Sequence, residues 1–233
     1  MKQPGVSGTL SLLHRRVIGC QRCPRLREYC IAVGREKRRA FAQWTYWTRP
    51  VPGFGEAGAR LWIIGLAPAA HGANRTGRVF TGDNSGNFLF AALHRAALAN
   101  QPTSVSRDDG LRLIDCYISA AARCAPPGNK PAPDEMARCG DFLDAEWAIL
   151  RHKRVILALG KIAWDACLAL AQRRGCTMAR PRPAFGHAAE IELAPGLHLL
   201  GSYHVSQQNT FTGKLTPAMF DAVLGRAKEL FLE

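Results

Sequence analysis

The sequence predicts an α/β fold, a three-layer α/β/α sandwich around a four-stranded parallel sheet, and two observations carry that expectation. Short apolar runs alternate with segments of helical periodicity, and the runs are continuous rather than alternately apolar and polar, as strands covered on both faces require. The strand candidates are residues 61–66 (LWIIGL), 111–120, 155–159 (VILAL) and 197–203. Helical patterns follow at 86–99, 133–150, 161–173 and 216–230, so strand and helix repeat in the order that builds parallel sheets through right-handed crossovers. With 233 residues and 47% apolar content, the chain can bury one sizeable core. A single domain spanning 1–233 is expected, with an N-terminal extension of about residues 1–58. That extension carries a basic run from Arg35 to Arg39 and then Trp44, Tyr46, Trp47, Pro50, Pro52 and Phe54, and its stretch from Cys20 to Gly58 reads as partly irregular.

Charge points to a polyanionic partner. Lys and Arg number 31 against 18 Asp and Glu, a formal net charge of +13 with a pI near 9.9, so nucleic acid is the first partner to consider. The apolar stretch at residues 10–13 is short and surrounded by Lys2, His14, Arg15 and Arg16. Neither a signal peptide nor a membrane span is expected, and the cytoplasm is the expected compartment.

In a reducing compartment eight cysteines are thiols or metal ligands rather than a disulfide framework. Cys20-Gln-Arg-Cys23-Pro24 is a CxxC beside proline, and Cys124 and Cys139 form a second pair flanking the loop APPGNKP. Such a set can bring four thiolates to one point, for an iron-sulfur cluster or for zinc, and spacing does not separate the two. Cys30, Cys116, Cys167 and Cys176 lack this pairing and read as small buried hydrophobes.

Ligands of parallel α/β sheets sit beyond the carboxyl ends of the strands, which directs attention to the segments after Leu66, Ala120 and Tyr203. Residues 65–83, GLAPAAHGANRTGRVFTGD, are rich in small side chains that let backbone approach a ligand, and a helix beginning near Asn84 or Ser85 offers free amides. Taken singly, the polar residues here have ordinary readings. Asp83 is a helix N-cap, His204 a histidine at a strand end, Phe80 a loop anchor, and Gln207, Gln208 and Asn209 a polar turn.

Taken together they do not. Residues 65–83 resemble the first motif of the B-type (family 5) uracil-DNA glycosylases, residues 204–216 (HVSQQNTFTGKLT) resemble the second, and the cysteine order matches the iron-sulfur branch of that superfamily. The resemblance covers nearly the whole chain from Cys20. It implies the uracil-DNA glycosylase fold, a [4Fe-4S] cluster on Cys20, Cys23, Cys124 and Cys139, and a monomer acting on DNA that contains uracil or other damaged bases. It further implies catalytic roles for Asp83, which would orient or activate water, and His204, which would hydrogen-bond the carbonyl oxygen of the departing base. Gly65, Leu66, Ala67 and Ala120 would border that base, Phe80 would stack on it, and Asn129 or Asn74 would supply polar contacts. Gln207, Gln208 and Asn209 would meet the DNA at the gap, and Lys214, with Arg35, Lys37, Arg38 and Arg39, would engage phosphates.

Two departures from the superfamily shape the expectation. Leu66 stands where sister branches carry Asp, Glu or Asn, so the water-activating group must come from elsewhere or be dispensable. Ala120 stands where A-type relatives carry an asparagine that reads uracil, which implies a permissive pocket that also takes hypoxanthine and modified pyrimidines. No lysine is placed to form a Schiff base, so hydrolysis without lyase activity is expected. Leu66 also keeps alive a DNA-binding damage sensor of the same fold, its cluster structural or redox-active and its glycosylase activity absent. A zinc-binding nucleotide hydrolase would share the cysteines and the fold class.

Overall fold

The computed structural model describes residues 6–231; Lys2, part of the argument against a signal peptide, lies outside the described residues. Helix α1 (Val6–Ile18) buries Leu10, Leu13 and Val17, an i, i+3, i+7 stripe. Helix α2 (Pro24–Glu36) begins on a proline, where the missing N–H breaks no intrahelical bond, and buries Leu26, Cys30 and Val33. The stretch from Cys20 to Gly58, expected to be partly irregular, is helical over Pro24–Glu36 and beyond it holds only a 3-10 turn at Arg39–Phe41 and the two-residue strand Phe54–Gly55.

The elements that follow are β1 (Phe54–Gly55), β2 (Leu61–Gly65), α3 (Ala73–Thr76), α4 (Asn84–Arg95), β3 (Cys116–Ala120), α5 (Pro133–Ile149), β4 (Val155–Leu159), α6 (Lys161–Arg173), β5 (Glu190–Ala194), β6 (Leu197–Ser202), α7 (Gln207–Phe211) and α8 (Pro217–Glu229). The sheet has six strands in the order β1-β3-β2-β4-β6-β5, which corrects the expected four. Its inner four, β3, β2, β4 and β6, run parallel, while β1 and β5 add antiparallel edges. Strand β3 begins at Cys116; Leu111 and Leu113 are buried ahead of it in a turn-rich segment rather than in the strand.

Both faces of the sheet are covered. Leu61 and Ile63 point into a core with Leu89, Phe90 and Leu93 of α4 and Phe220, Val223 and Leu224 of α8. Trp62 and Ile64 point the other way, into a core with Leu10 of α1, Leu143 of α5 and Trp164 and Leu168 of α6. Each such side chain, fully buried, contributes about 1.5–3 kcal/mol. No described helix is long and apolar enough to cross a membrane.

Candidate active site

The carboxyl ends of β2 and β3 lie side by side, with Gly65 paired to Ala120. Beyond them the backbone of the β2 loop is stitched to β3 by Ala121 N–H to Gly65 O and Ala122 N–H to Leu66 O, both 2.9 Å. Over this edge opens a narrow pocket of about 40 Å³, lined by Ala67, Pro68, Ala69, Val79, Phe80, Asp83, Ser85, Ala120 and His204. Asp83 and His204, far apart in the chain, thus line one cavity.

Asp83 is the N-cap of α4, its Oδ1 accepting a bond from the Gly86 N–H at 3.0 Å. The carboxylate therefore serves as cap and pocket wall at once. Burial raises its pKa above the ordinary value, against the pull of the Gly86 and Ser85 amides and of Arg75. Its room depends on Gly72, since a Cβ there would lie 2.8 Å from Asp83 Cγ and closer still to Oδ2.

His204 follows β6, and burial lowers its pKa, so the imidazole is held neutral. Its carbonyl accepts Asn209 Nδ2 at 2.7 Å, which ties α7 back to the strand end. The Phe80 ring lies 6.2 Å from the imidazole, centroid to centroid, tilted by 37°. Phe80 takes a left-handed backbone (φ 50°), costly for a bulky residue. Glycine on both sides makes that conformation possible: a Cβ at Gly65 would come 2.6 Å from the Phe80 ring, and one at Gly86 2.7 Å from the Phe80 carbonyl carbon.

The aromatic part of the extension holds this loop in place. Arg75 is buried between Phe41 and Trp44, its guanidinium 3.8 and 4.2 Å from their ring centroids, and donates to His71 O and Gly82 O at 2.8 and 2.6 Å. Trp47 and Thr48 add backbone bonds to Arg75 and Asn74. The conjunction of Arg75 with aromatics thirty residues earlier has no local signature in sequence, and neither has Ser85 or Gly72 as a neighbour of Asp83.

Of the expected base contacts, Ala67, Phe80 and Ala120 line the pocket. Gly65 lies beneath the Phe80 ring, and Leu66 contributes its backbone to the β3 loop. Asn129 is exposed in the 3-10 turn Pro127–Asn129, away from the pocket lining. Asn74 is buried and spends its amide on Cys30 O and Ala70 O, joining α2 to the loop. Gln207 and Gln208 are exposed on α7, and Lys214 lies 4.9 Å over the Tyr203 ring. A wider cleft of about 390 Å³ opens elsewhere, at the β1 edge, among His14, Phe54, Arg107 and Arg112. Its one carboxylate, Glu56, is occupied by the Asp115 N–H at 3.1 Å.

Cys20, Cys23, Cys124 and Cys139 gather where the start of α2 meets α5. Burial, and then repulsion by Cys139 and Cys124, raise the Cys23 thiol; burial raises Cys139, which also senses Cys124 and Cys20. Arg22 bonds Cys20 Sγ at 3.5 Å and Asp141 of α5 at 2.7 Å, and Arg25 bonds Glu135 of α5. Cys30, set apart from this group on sequence, lies against Cys124, and that contact raises the Cys124 pKa and lowers its own. Among the described residues no three or more of His, Cys, Asp and Glu are grouped so as to hold a single metal ion.

An α/β sheet whose carboxyl edge carries a small pocket, with a partly desolvated carboxylate and a neutral imidazole lining it, has the arrangement of an enzyme active site. The uracil DNA glycosylase superfamily model matches residues 52–228. A type-5 uracil-DNA glycosylase of Mycobacterium tuberculosis is 52% identical over 227 residues, 97% of this chain and 83% of the relative. One from Thermus thermophilus is 52% identical over 214 residues, 91% and 93% of the two chains. A type-4 uracil-DNA glycosylase of Pyrobaculum aerophilum is 31% identical over 166 residues, 71% and 67%. The chain belongs to the uracil-DNA glycosylase superfamily, and its similarity to type-5 members is the greater and longer.

Proposed function

We propose that this chain is a type-5 uracil-DNA glycosylase, a cytoplasmic, monomeric, single-domain base-excision enzyme. It hydrolyses the N-glycosidic bond of uracil in DNA, and of hypoxanthine and modified pyrimidines, leaving an abasic site. The observation that carries the reading is the convergence of Asp83, His204 and Phe80 on one pocket at the carboxyl edge of the sheet.

The stacked base is out of reach, so the nucleotide must be flipped into the pocket. There Phe80 stacks on it, at about 1–3 kcal/mol per base. As the bond breaks, the sugar gains positive and the base negative charge. A neutral His204 donates a hydrogen bond to the base oxygen where that charge develops, a contribution on the order of 10²–10³ in rate for a single donor. Asp83, its basicity increased by burial, orients and activates the water, on the order of 10²–10⁴. Ala120 puts a methyl where an amide would discriminate, which supports a tolerant pocket. Gln207, Gln208 and Asn209 on α7 meet the DNA beside the gap, and Lys214 with the basic surface contacts phosphates.

The four cysteines would hold a [4Fe-4S] cluster, which when bound supplies a rigid, redox-capable tie between the start of α2 and α5. Buried, mutually repelling thiols ionise readily only beside a cation. Two unpartnered buried nitrogens on Arg123, next in sequence to Cys124, await a negative group. A four-cysteine zinc site needs all sulfurs about 2.3 Å from one point; the resemblance of the cysteine order to the iron-sulfur branch is what favours the cluster.

A uracil-containing duplex, treated with the protein and then alkali, tests the assignment. Strand scission by the wild type and its loss in Asp83→Ala and His204→Ala are expected; full activity in both variants overturns the roles. Binding without scission by the wild type would identify a damage sensor instead. Borohydride should trap no covalent adduct. Anaerobically purified protein should contain iron and sulfide with broad visible absorbance.

A further inference from the structure

Arg123 is a buried cation with more donors than partners. Its side chain is 1% exposed and pairs with Glu146, 0% exposed, through Nη2 at 2.6 Å from Oε2. Glu146 Oε1 accepts from the Tyr117 hydroxyl at 3.0 Å, and that hydroxyl lies 3.1 Å from His14 Nε2. Three elements, α1, β3 and α5, thus fix one face of the guanidinium. Nε and Nη1 are buried with no partner among the described residues. Charged donors stranded in this way are rare in native proteins and call for an explanation. The Arg123 guanidinium is an electrostatic neighbour of the Cys139 thiol, which stands on α5 seven residues before its partner Glu146, and Cys124 is the next residue.

We infer that Arg123 is a positioning residue for the anionic group on the four cysteines, giving its Nε–H and Nη1–H to that group's sulfurs and offsetting part of its charge. The inference rests on the cluster reading above. Four thiolates outweigh the charge of the iron-sulfide core, so the site is anionic, and hydrogen bonds to sulfur and nearby charge are what set a cluster's potential. Reduction adds one more negative charge. A fixed cation at hydrogen-bond range therefore favours the reduced state and retention of the cluster, and Glu146 keeps the cation from turning away.

The test is an anaerobic potentiometric titration of the holoprotein with dithionite, alongside iron and sulfide content. Arg123→Met alone would strand a buried carboxylate, so it is made in a Glu146→Gln background and compared with Glu146→Gln alone. Adding Arg123→Met should lower the ratio of reduced to oxidised cluster at a fixed potential by at least about tenfold, equivalent to about 59 mV for one electron. Arg123→Lys, in the wild-type background, should keep most of the wild-type potential and iron. A Met variant that folds by circular dichroism but holds no iron, while the Lys variant does, also supports the inference. Potential and iron content unchanged by the Met substitution, or a Lys variant as impaired as the Met one, overturns it. A wild-type protein with no iron or sulfide would refute the cluster reading and this inference together; a cluster-bearing wild type with indifferent variants refutes only the role of Arg123.

Discussion

Replacing Gly72 with alanine should remove most of the activity while costing little stability. The added Cβ would lie 2.8 Å from Asp83 Cγ and 3.2 Å from Ala69 Cβ, inside the 3.5–4.0 Å at which carbon atoms rest. The cheapest relief is rotation of the Asp83 carboxylate, a terminal group on a short side chain. That forfeits the bond from the Gly86 N–H, worth roughly 0.5–2 kcal/mol as a helix cap. It also takes the carboxylate out of the pocket, which should cost about 10²–10⁴ in rate, or ~3–5 kcal/mol of barrier. The assay is kcat/KM on a uracil duplex, with thermal melts, for wild type, Gly72→Ala, Asp83→Ala and the double variant. The double should be no slower than Asp83→Ala alone, because both changes remove one group. If Gly72→Ala keeps wild-type kcat/KM while Asp83→Ala does not, the argument that this glycine makes room for a working carboxylate fails.

Three further outcomes are expected. Activity requires ionised Asp83, whose pKa burial raises above 3.8, so kcat/KM should fall with pH on the acid side at a point above that value, and Asp83→Asn should abolish this limb; a limb unchanged in Asp83→Asn assigns it to another group. Burial opposes the charge of Asp109, but Arg78 and the amides of Leu111, Val105 and Ser106 overcome it and lower its pKa from 3.8 to about 2. That shift contributes roughly 2 kcal/mol, present above pH 4 and lost as pH falls toward 2; urea melts of Asp109→Asn should show a deficit of at least that size at neutral pH that shrinks over this window, and a pH-independent difference would contradict the linkage. Ala120→Asn should shift preference toward uracil over hypoxanthine by about tenfold, the worth of one hydrogen bond, and unchanged selectivity in a panel of damaged duplexes would count against Ala120 as the permissive position.

What could be read from sequence was whatever declares itself locally. Strand Val155–Leu159 and helix Lys161–Arg173 have the expected bounds, because a continuous apolar run closed by Gly160 leads straight into a 3.6-residue pattern. Edge strand β5 escaped because Glu190 and Glu192 face outward on a solvated border, and β1 because two residues carry no periodicity. The helices of the extension were legible in the spacings of Leu10, Leu13 and Val17 and of Leu26, Cys30 and Val33, yet the basic and aromatic stretch that follows obscured them. At the pocket, Asp83, His204, Phe80 and Ala67 stood out through their motifs, and Ala120 as the position where A-type relatives carry an asparagine. Arg75 and Gly72 did not, because their importance lies in which neighbours the fold supplies.

The strand order has a bearing on when the molecule becomes competent. Strand β2, which delivers Phe80 and Asp83, must pair with β3 on one side and with β4, some ninety residues later, on the other; β4 in turn waits for β6. The imidazole follows β6, the last strand in chain order, whose place in the sheet depends on pairings between segments distant in sequence, contacts of the kind that form slowly. A nascent or nicked chain ending before β6 has the carboxylate but no group to receive the leaving base.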